Sequence, residues 1–188
     1  MADKPYHHGN LRTVLIEAGI DILNKEGLKG FSLRKVAAKC GVSHTAPYSH
    51  FKDIDALMMA MSEHVTNQFL ESLSLSVNGK ENDEDAVLFI GQAYIKFFQE
   101  HPQYFQFLYY HSGMNINLDK EDADDYSTFA LFRRTAYKKF EEKGFPEESF
   151  PERLASLWSI VHGIVALLTN PNIQYSGDWQ QVFKNIIQ

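Results

Sequence analysis

The stretch FSLRKVAAKCGVSHTAPYSHF, residues 31–51, decides the fold of the first part of this 188-residue chain. Within it, apolar side chains recur at helical spacing over Leu33–Cys40, after a serine, Ser32, of the kind that precedes helices. Gly41 can adopt the left-handed conformation that ends a helix. A second short helix is predicted over Ser43–His50, with its first residue as the N-cap. Two short helices joined by a tight turn predict a helix-turn-helix, whose second helix is sized for the major groove of DNA.

Helical periodicity continues through the rest of the chain, and no segment alternates as a strand would. The predicted fold is therefore all-α, with about nine helices. One helix precedes the quoted stretch, from an N-cap at Asn10 to a stop at Gly27, and a long one follows it from a cap at Asp53 to a polar stretch that begins at Asn78. Residues 112–118 are predicted to form a loop. The later helices are predicted over residues 84–100, from Pro102, around Phe129–Phe140, around Leu154–Leu168 and from a cap at Asp178.

Charge divides the chain unevenly. Residues 1–60 carry eight Lys and Arg against six Asp and Glu, a net charge of +2, whereas residues 61–188 have a net charge of −8. Phosphate binding needs local rather than global positive charge, so the overall charge of −6 is compatible with DNA binding. We expect two domains: a helix-turn-helix DNA-binding domain over residues 1–58, and a helical ligand-sensing and dimerisation domain over residues 59–188.

The composition excludes several other classes of protein. The one cysteine, Cys40, cannot form an intrachain disulfide and favours a reducing compartment. No apolar run reaches the roughly 18 residues that a membrane span needs, and Met1–Asn10 has no signal-peptide core. A cytoplasmic protein with no membrane partner is expected. No cofactor is indicated, and no His, Cys or carboxylate cluster has the spacing of metal ligands.

The region Asn10–Leu57 resembles the DNA-binding head of the TetR/AcrR family of bacterial transcriptional regulators. The resemblance rests on the sequence FSLRKVAAKCGVS and on Tyr48, His50, Phe51 and Lys52. The opening segment Tyr6–Arg12 is similar to one branch of that family, whose C-terminal domain carries a Trp-x-x-x-His-Gly signature. This chain supplies that signature with Trp158, His162 and Gly163.

The resemblance implies an all-helical homodimer that represses or activates promoters at a palindromic operator on double-stranded DNA, with repression favoured. It also implies release of the DNA when a small-molecule effector binds the C-terminal domain. Pro47 stands where this family usually has an ordinary helix former. Because proline lacks an N–H group, we expect a distorted rather than a lost recognition helix.

The segment Ser43–His50 contains neither Arg nor Lys, so short polar side chains are expected to contact the bases. Phosphate contacts are expected from a tyrosine, a histidine and two cations near helix N-termini. The predicted DNA-binding residues are Arg34, Ser43, His44, Thr45, Tyr48, His50 and Lys52. The basic side chains Lys29, Lys35 and Lys39 are more typical of a solvated helix face.

Fourteen of the 23 Phe and Tyr residues fall between residues 86 and 140. They are able to line an apolar cavity for a small hydrophobic or flat ligand, although any single ring is more typical of ordinary helical core. His162 is more typical of a satisfied core residue than of a ligand contact. The predicted ligand-binding residues are Phe98, Phe105, Leu108, Tyr109, Phe129, Phe132, Trp158 and His162.

The helices over residues 152–170 and 178–187 carry broad apolar stripes, which predict a four-helix dimer interface. Small residues at Ala155, Ser159, Gly163 and Ala166 would let another helix approach, from the same chain or from a partner. Two alternatives stay open. One is a DNA-binding regulator without an inducer. The other is an all-helical enzyme that uses His162 with the carboxylates of residues 119–125, but no nucleophile–base pairing supports it, so we expect no enzyme.

Overall fold

The computed structural model describes residues 11–118 and 128–188, and within these ranges the fold is all-α, as predicted. No helix among the described residues is long and apolar enough to cross a membrane. Two 3-10 turns, Ala46–Ser49 and Glu147–Ser149, accompany eight α-helices in these ranges. The helices are α1 (Leu11–Glu26), α2 (Leu33–Lys39), α3 (Ile54–Val77), α4 (Ala86–Glu100), α5 (Pro102–Tyr110), α6 (Thr128–Glu142), α7 (Phe150–Leu168) and α8 (Trp179–Ile187).

Local capping chemistry accounts for several of the helix boundaries. The side chains of Ser32, Asp53 and Asp178 each accept a hydrogen bond from a backbone N–H of the following helix turn, at 3.3, 2.8 and 2.8 Å. Gly27 and Gly144 adopt φ angles of +70° and +71°, which end α1 and α6. These caps and stops confirm the predicted boundaries. The predicted N-cap Asn10 lies outside the described residues.

The predicted third helix, Ser43–His50, is the main correction. Only Ala46–Ser49 is helical there, as a 3-10 turn whose cap is Thr45, and the predicted N-cap Ser43 was wrong. The hydroxyl of Ser43 instead lies 3.1 Å from the hydroxyl of Thr45. Pro47 has no N–H to donate back along an α-helix, and its buried ring is held in the core. This third predicted helix is therefore reduced to one tight turn, and the described residues form eight α-helices instead of the nine predicted.

The first compact unit comprises the chain up to Val65 together with Gln106–Gly113. Its core is made by apolar side chains that α1, α2 and α3 bury, including Leu15, Ile20, Val36, Leu57 and Met61. Helix α3 runs without a break through residue 58. The predicted domain boundary after residue 58 falls within this helix, and it remains a prediction.

The second unit comprises Thr66–Phe105 and Met114–Gln188, with α4 packed against α6, α7 and α8. Its interior is aromatic: Phe69 contacts Tyr94, Phe97 and Phe98, with ring centroids 4.8–5.2 Å apart. Such contacts bury large apolar area in offset or edge-to-face geometry. The aromatic excess of the sequence thus builds the core of this unit.

Candidate nucleic-acid interface

The turn after α2 is closed by its own backbone. Gly41 has a φ of +68°, and its N–H donates to the carbonyl of Ala38 at 3.2 Å. The N–H of Val42 donates to the carbonyl of Ala37 at 3.1 Å, which completes the helix-ending pattern that a left-handed glycine allows. The Sγ atom of Cys40 lies 3.7 Å from the carbonyl oxygen of Val14 in α1. These contacts close the turn and hold it against α1, so they set the position at which the following segment begins.

The seven predicted DNA-binding side chains are all exposed, while the side chains that anchor the segment are buried. Pro47 and Phe51 point into the first unit, and Phe51 is 2% exposed. Tyr48, between them, is 54% exposed. The structure places these predicted residues at the surface of the first unit: Arg34, Ser43, His44, Thr45, Tyr48, His50 and Lys52.

Lys52 lies just before the N-terminus of α3. Its side chain is 89% exposed, and its Nζ is 3.6 Å from Oδ2 of Asp53, the residue that caps α3. Free N–H groups and the helix dipole at such a terminus attract anions. The Asp53 carboxylate already caps this terminus, so the exposed ammonium of Lys52 is the positive group at this end of α3.

Two other lysines of the first unit are engaged by carboxylates of α1. Lys35 pairs with Glu26, and Lys39 pairs with Asp21. The hydrogen bond from Lys39, and then that from Lys25, lowers the pKa of the Asp21 carboxyl. These lysines tie α2 to α1, which is consistent with their interpretation as surface residues.

Arg12 was missed by the sequence reasoning. It is exposed in the first turn of α1, and its guanidinium lies 5.5 Å from the centroid of the Phe51 ring. The Phe51 ring is in turn 6.3 Å from that of His50. This cation–π contact holds a positive charge beside the exposed segment. A basic residue in the opening motif was the available signal, but its partner stands far away in sequence.

Six of the eight predicted ligand-binding residues form a continuous aromatic series in the second unit. Successive ring centroids are 5.0–5.5 Å apart from Phe98 to Phe105, His162, Trp158 and Phe129, and Phe132 follows at 6.4 Å. The other two, Leu108 and Tyr109, belong to the first unit.

His162 has a partner in the core of the second unit. Its Nδ1 lies 3.2 Å from the hydroxyl of Tyr94, and burial lowers the pKa of its imidazole, which favours the neutral form. Among the described residues, no three His, Cys, Asp or Glu side chains are grouped so as to hold a metal ion. The carboxylates invoked for an enzyme, residues 119–125, lie outside the described ranges.

Family comparisons match both parts of the chain. Residues 15–61 match the family described as "Bacterial regulatory proteins, tetR family". Residues 87–188, more than half of the chain, match the family described as "Tetracyclin repressor-like, C-terminal domain". The first match contains the turn and the exposed segment, and the second contains the aromatic series.

Individual relatives agree with these matches. The chain is 24% identical over 98 residues to the uncharacterized HTH-type transcriptional regulator YobS of Bacillus subtilis (strain 168), over 52% of this chain and 51% of that protein. It is 41% identical over 49 residues to the tetracycline repressor protein class A from transposon 1721 of Escherichia coli, over 26% of this chain and 23% of that one. The chain thus spans about half or less of the curated relatives it matches. A solved structure of a protein with unknown function from Rhodococcus sp. RHA1 is similar in fold, with a TM-score of 0.69, 25% identity and coverage of 98% and 95%.

Proposed function

Since the chain belongs to the TetR family of bacterial transcriptional regulators, we propose that it is a repressor that binds a palindromic operator as a homodimer. A small hydrophobic or aromatic molecule binds the second unit and releases the DNA. The observation that carries the proposal is the exposed polar segment Ser43–Lys52, anchored by the buried side chains of Pro47 and Phe51. A rigidly held row of polar side chains is what reading base edges requires.

Different side chains of the exposed segment make base contacts and phosphate contacts. Ser43, His44 and Thr45 carry hydroxyl and imidazole groups of the kind that contact base edges in the major groove. Tyr48 and Lys52 are suited to phosphate oxygens, which fix position without reading sequence. On the same grounds His50, Arg34 and Arg12 serve as further phosphate contacts.

The dimer is supported by the uncovered face of α7 and α8. A Cβ atom added at Gly163 would have no atom of the described residues within 4 Å, so no helix that the structure describes requires that glycine. Leu167 on α7 and Ile186 on α8 are 43% and 53% exposed. Pairing this face across a two-fold axis would bury roughly 1,200–2,000 Å² in total. The same axis would present two reading segments to a palindrome with half-sites about 34–36 Å apart.

The effector site is supported by the aromatic series of the second unit. Trp158 and His162 are only half-buried, whereas Phe98 and Phe105 are fully buried behind them. A flat apolar molecule is able to stack on these two half-buried rings, which lie in the middle of the series. The Tyr94 hydroxyl and the neutral His162 imidazole would be its polar contacts.

Selection of an operator from random DNA by the purified protein tests the proposal, and side-chain substitutions then separate its parts. Tyr48→Ala and Lys52→Ala should weaken binding to all sequences alike, and Lys52→Ala, which removes a positive charge, should also reduce the salt dependence of binding. His44→Ala and Thr45→Ala should relax the preference at particular base pairs, by about 1–3 kcal/mol each.

Lys96→Ala serves as the matched control, because Lys96 is an exposed lysine on α4. This substitution should leave the affinity for DNA and its salt dependence unchanged. If no palindrome is selected, the proposed function is wrong. If His44→Ala leaves the selected sequence and the affinity unchanged, the assignment of the exposed segment Ser43–Lys52 as the part that reads the bases is wrong. Release of the bound operator by a small apolar molecule separates a ligand-responsive repressor from a regulator that has no inducer.

A further inference from the structure

The turn that follows α3 contains the only Asn-Gly pair of the sequence, Asn78–Gly79. In such a pair the glycine nitrogen can attack the carbonyl carbon of the asparagine side chain, because glycine has no Cβ atom to obstruct the approach. Every other asparagine of the sequence is followed by a residue that has a side chain. Both residues of the pair are exposed and lie directly after Val77, the last residue of α3. The sequence therefore holds one position at which this ring closure is sterically easy.

The backbone nitrogen of Gly79 is not used by the hydrogen-bond ladder of α3. The N–H of Lys80 donates to the carbonyl of Val77 at 2.9 Å, whereas the acceptor of the Gly79 N–H is a side chain. Gly79 has a φ of +70°, and a Cβ atom added to it would meet no atom of the described residues within 4 Å. The nitrogen therefore lies in an open turn, where a neighbouring side chain has room to reach it.

The side chain that accepts this N–H is the carboxylate of Glu81. Its Oε1 lies 3.0 Å from the nitrogen of Gly79. Backbone hydrogen bonds, from Glu81 itself and then from Gly79, lower the pKa of this carboxyl, and the charge of Lys138 lowers it further. The carboxylate is thus ionised at neutral pH and contacts the proton that the nitrogen must lose in order to attack. A group within hydrogen-bond reach of the proton that it removes meets the geometric requirement for a general base.

We propose that Asn78 is a site of spontaneous deamidation, in which the backbone nitrogen of Gly79 attacks the Asn78 side chain and the Glu81 carboxylate takes up the amide proton. A bond forms between the Gly79 nitrogen and Cγ of Asn78, and the bond from Cγ to Nδ2 breaks. The proton passes from the carboxylate to the departing nitrogen, which leaves as ammonia. The product of this step is a cyclic imide.

Water completes the reaction by adding to either carbonyl carbon of the imide. Opening on the side-chain side gives aspartate, and opening on the backbone side gives isoaspartate, whose extra methylene group becomes part of the main chain. The net change is the consumption of one water and the release of one ammonia, so neither an oxidant nor a reductant is needed. The site goes beyond the proposed function, because neither DNA nor an effector takes part in the reaction.

The modification places a negative charge at the end of α3. Carboxylates at a helix C-terminus interact unfavourably with the helix dipole. The turn already carries Glu81, Asp83 and Glu84, so the new charge also adds to a local repulsion. Asn78→Asp, which mimics one product, should lower Tm by roughly 1–3 °C, the effect of one unfavourable terminal charge in a chain of this size. An Asn78→Asp chain as stable as the parent would overturn this consequence of the modification.

Incubation of the full chain at neutral pH, followed by peptide mapping with mass spectrometry, tests the site. Asn78 is expected to convert before any other asparagine of the chain, to a mixture of aspartate and isoaspartate. Asn82 is an internal comparison, because it is an exposed asparagine of the same turn that is followed by Asp83. If Asn78 stays intact over weeks, or if Asn82 converts as fast, the proposal is overturned.

Two substitutions separate the general base from the effect of charge. Glu81→Gln should slow the conversion by roughly two- to tenfold, below the 10²–10⁴-fold of general bases in enzymes because a carboxylate of low pKa is a weak base. Glu84→Gln is the matched control, since it removes the same charge from an exposed side chain of the same turn and should leave the rate unchanged. Circular dichroism checks that both variants are folded.

A Glu81→Gln chain that deamidates as fast as the parent, or faster, overturns the role of this carboxylate, and so does an equal slowing by Glu84→Gln. In chains unfolded by guanidinium, the parent and Glu81→Gln should convert at the same rate, because the turn that holds the carboxylate against the nitrogen is lost. A difference that persists unchanged after unfolding contradicts the geometry. Failure of the proposed repressor function would leave all these results unchanged, so the two failures are distinguishable.

Discussion

Replacing Gly91 by alanine is expected to disturb the packing of α8 on α4. A Cβ atom at Gly91 would lie 2.2 Å from Cε1 and 2.3 Å from Cζ of Phe183, where ordinary contact begins at 3.4 Å. The Phe183 ring is 1% exposed, and it is the buried residue through which α8 is held. Because the ring is buried, the ring or its helix must shift before the added Cβ atom and the ring reach ordinary contact.

Two opposing effects set the magnitude. Alanine is favoured over glycine in a helix interior by about 1 kcal/mol. Overpacking a filled core typically costs about 1–3 kcal/mol, and two ring atoms inside 3.0 Å place this site in the upper part of that range. The expected net loss in the free energy of unfolding is about 1–2 kcal/mol. For a chain of this size each kcal/mol lowers Tm by about 2–4 °C.

Thermal and urea unfolding followed by circular dichroism, at one protein concentration, measures this loss. Phe183→Leu removes the ring atoms that the new Cβ would meet, at the cost of a cavity. The double variant with Gly91→Ala and Phe183→Leu should therefore lose less free energy of unfolding than the two single variants lose together. The expected coupling energy is about 0.5–3 kcal/mol. If Gly91→Ala is as stable as the parent chain, or if the two losses simply add, the packing of α8 described here is incorrect.

The remaining predictions concern the dimer and His162. Gly163→Ala should stabilise the isolated subunit by up to about 1 kcal/mol but weaken the dimer, and an unchanged mass by light scattering on dilution would place the interface elsewhere. Burial lowers the pKa of His162 in the folded chain, so the unfolded chain takes up a proton there at a higher pH than the folded chain does. This histidine therefore does not reduce the free energy of unfolding above the unfolded-state pKa of about 6.5. It reduces that free energy as the pH falls below this value. His162→Gln should lose less Tm between about pH 7 and pH 5, and equal losses would show that His162 is not responsible.

The exposed segment Ser43–Lys52 shows where prediction from local sequence succeeded and where it failed. The turn at Gly41 and the exposure of residues such as Tyr48 and Lys52 follow from residues close together in the chain. The helix predicted over Ser43–His50 did not form as an α-helix, because Pro47 removes a donor and its ring is buried. The position of Arg12 against Phe51 could not be predicted, since periodicity says nothing about which distant side chains meet.

What the sequence by itself determined about this protein is local. Its 3.6-residue periodicity, its caps at Ser32, Asp53 and Asp178 and its glycine stops specify an all-α chain with a helix-turn-helix, because capping and helix propensity act within a few residues. Only the tertiary structure decided which surfaces meet: the Tyr94 hydroxyl reaches His162, which is 68 residues away. It also decided that Phe183 of α8 packs on Gly91 of α4, and that Leu75 of α3 is left exposed. Such pairings depend on the packing of whole helices against one another, and single-residue patterns carry no record of it.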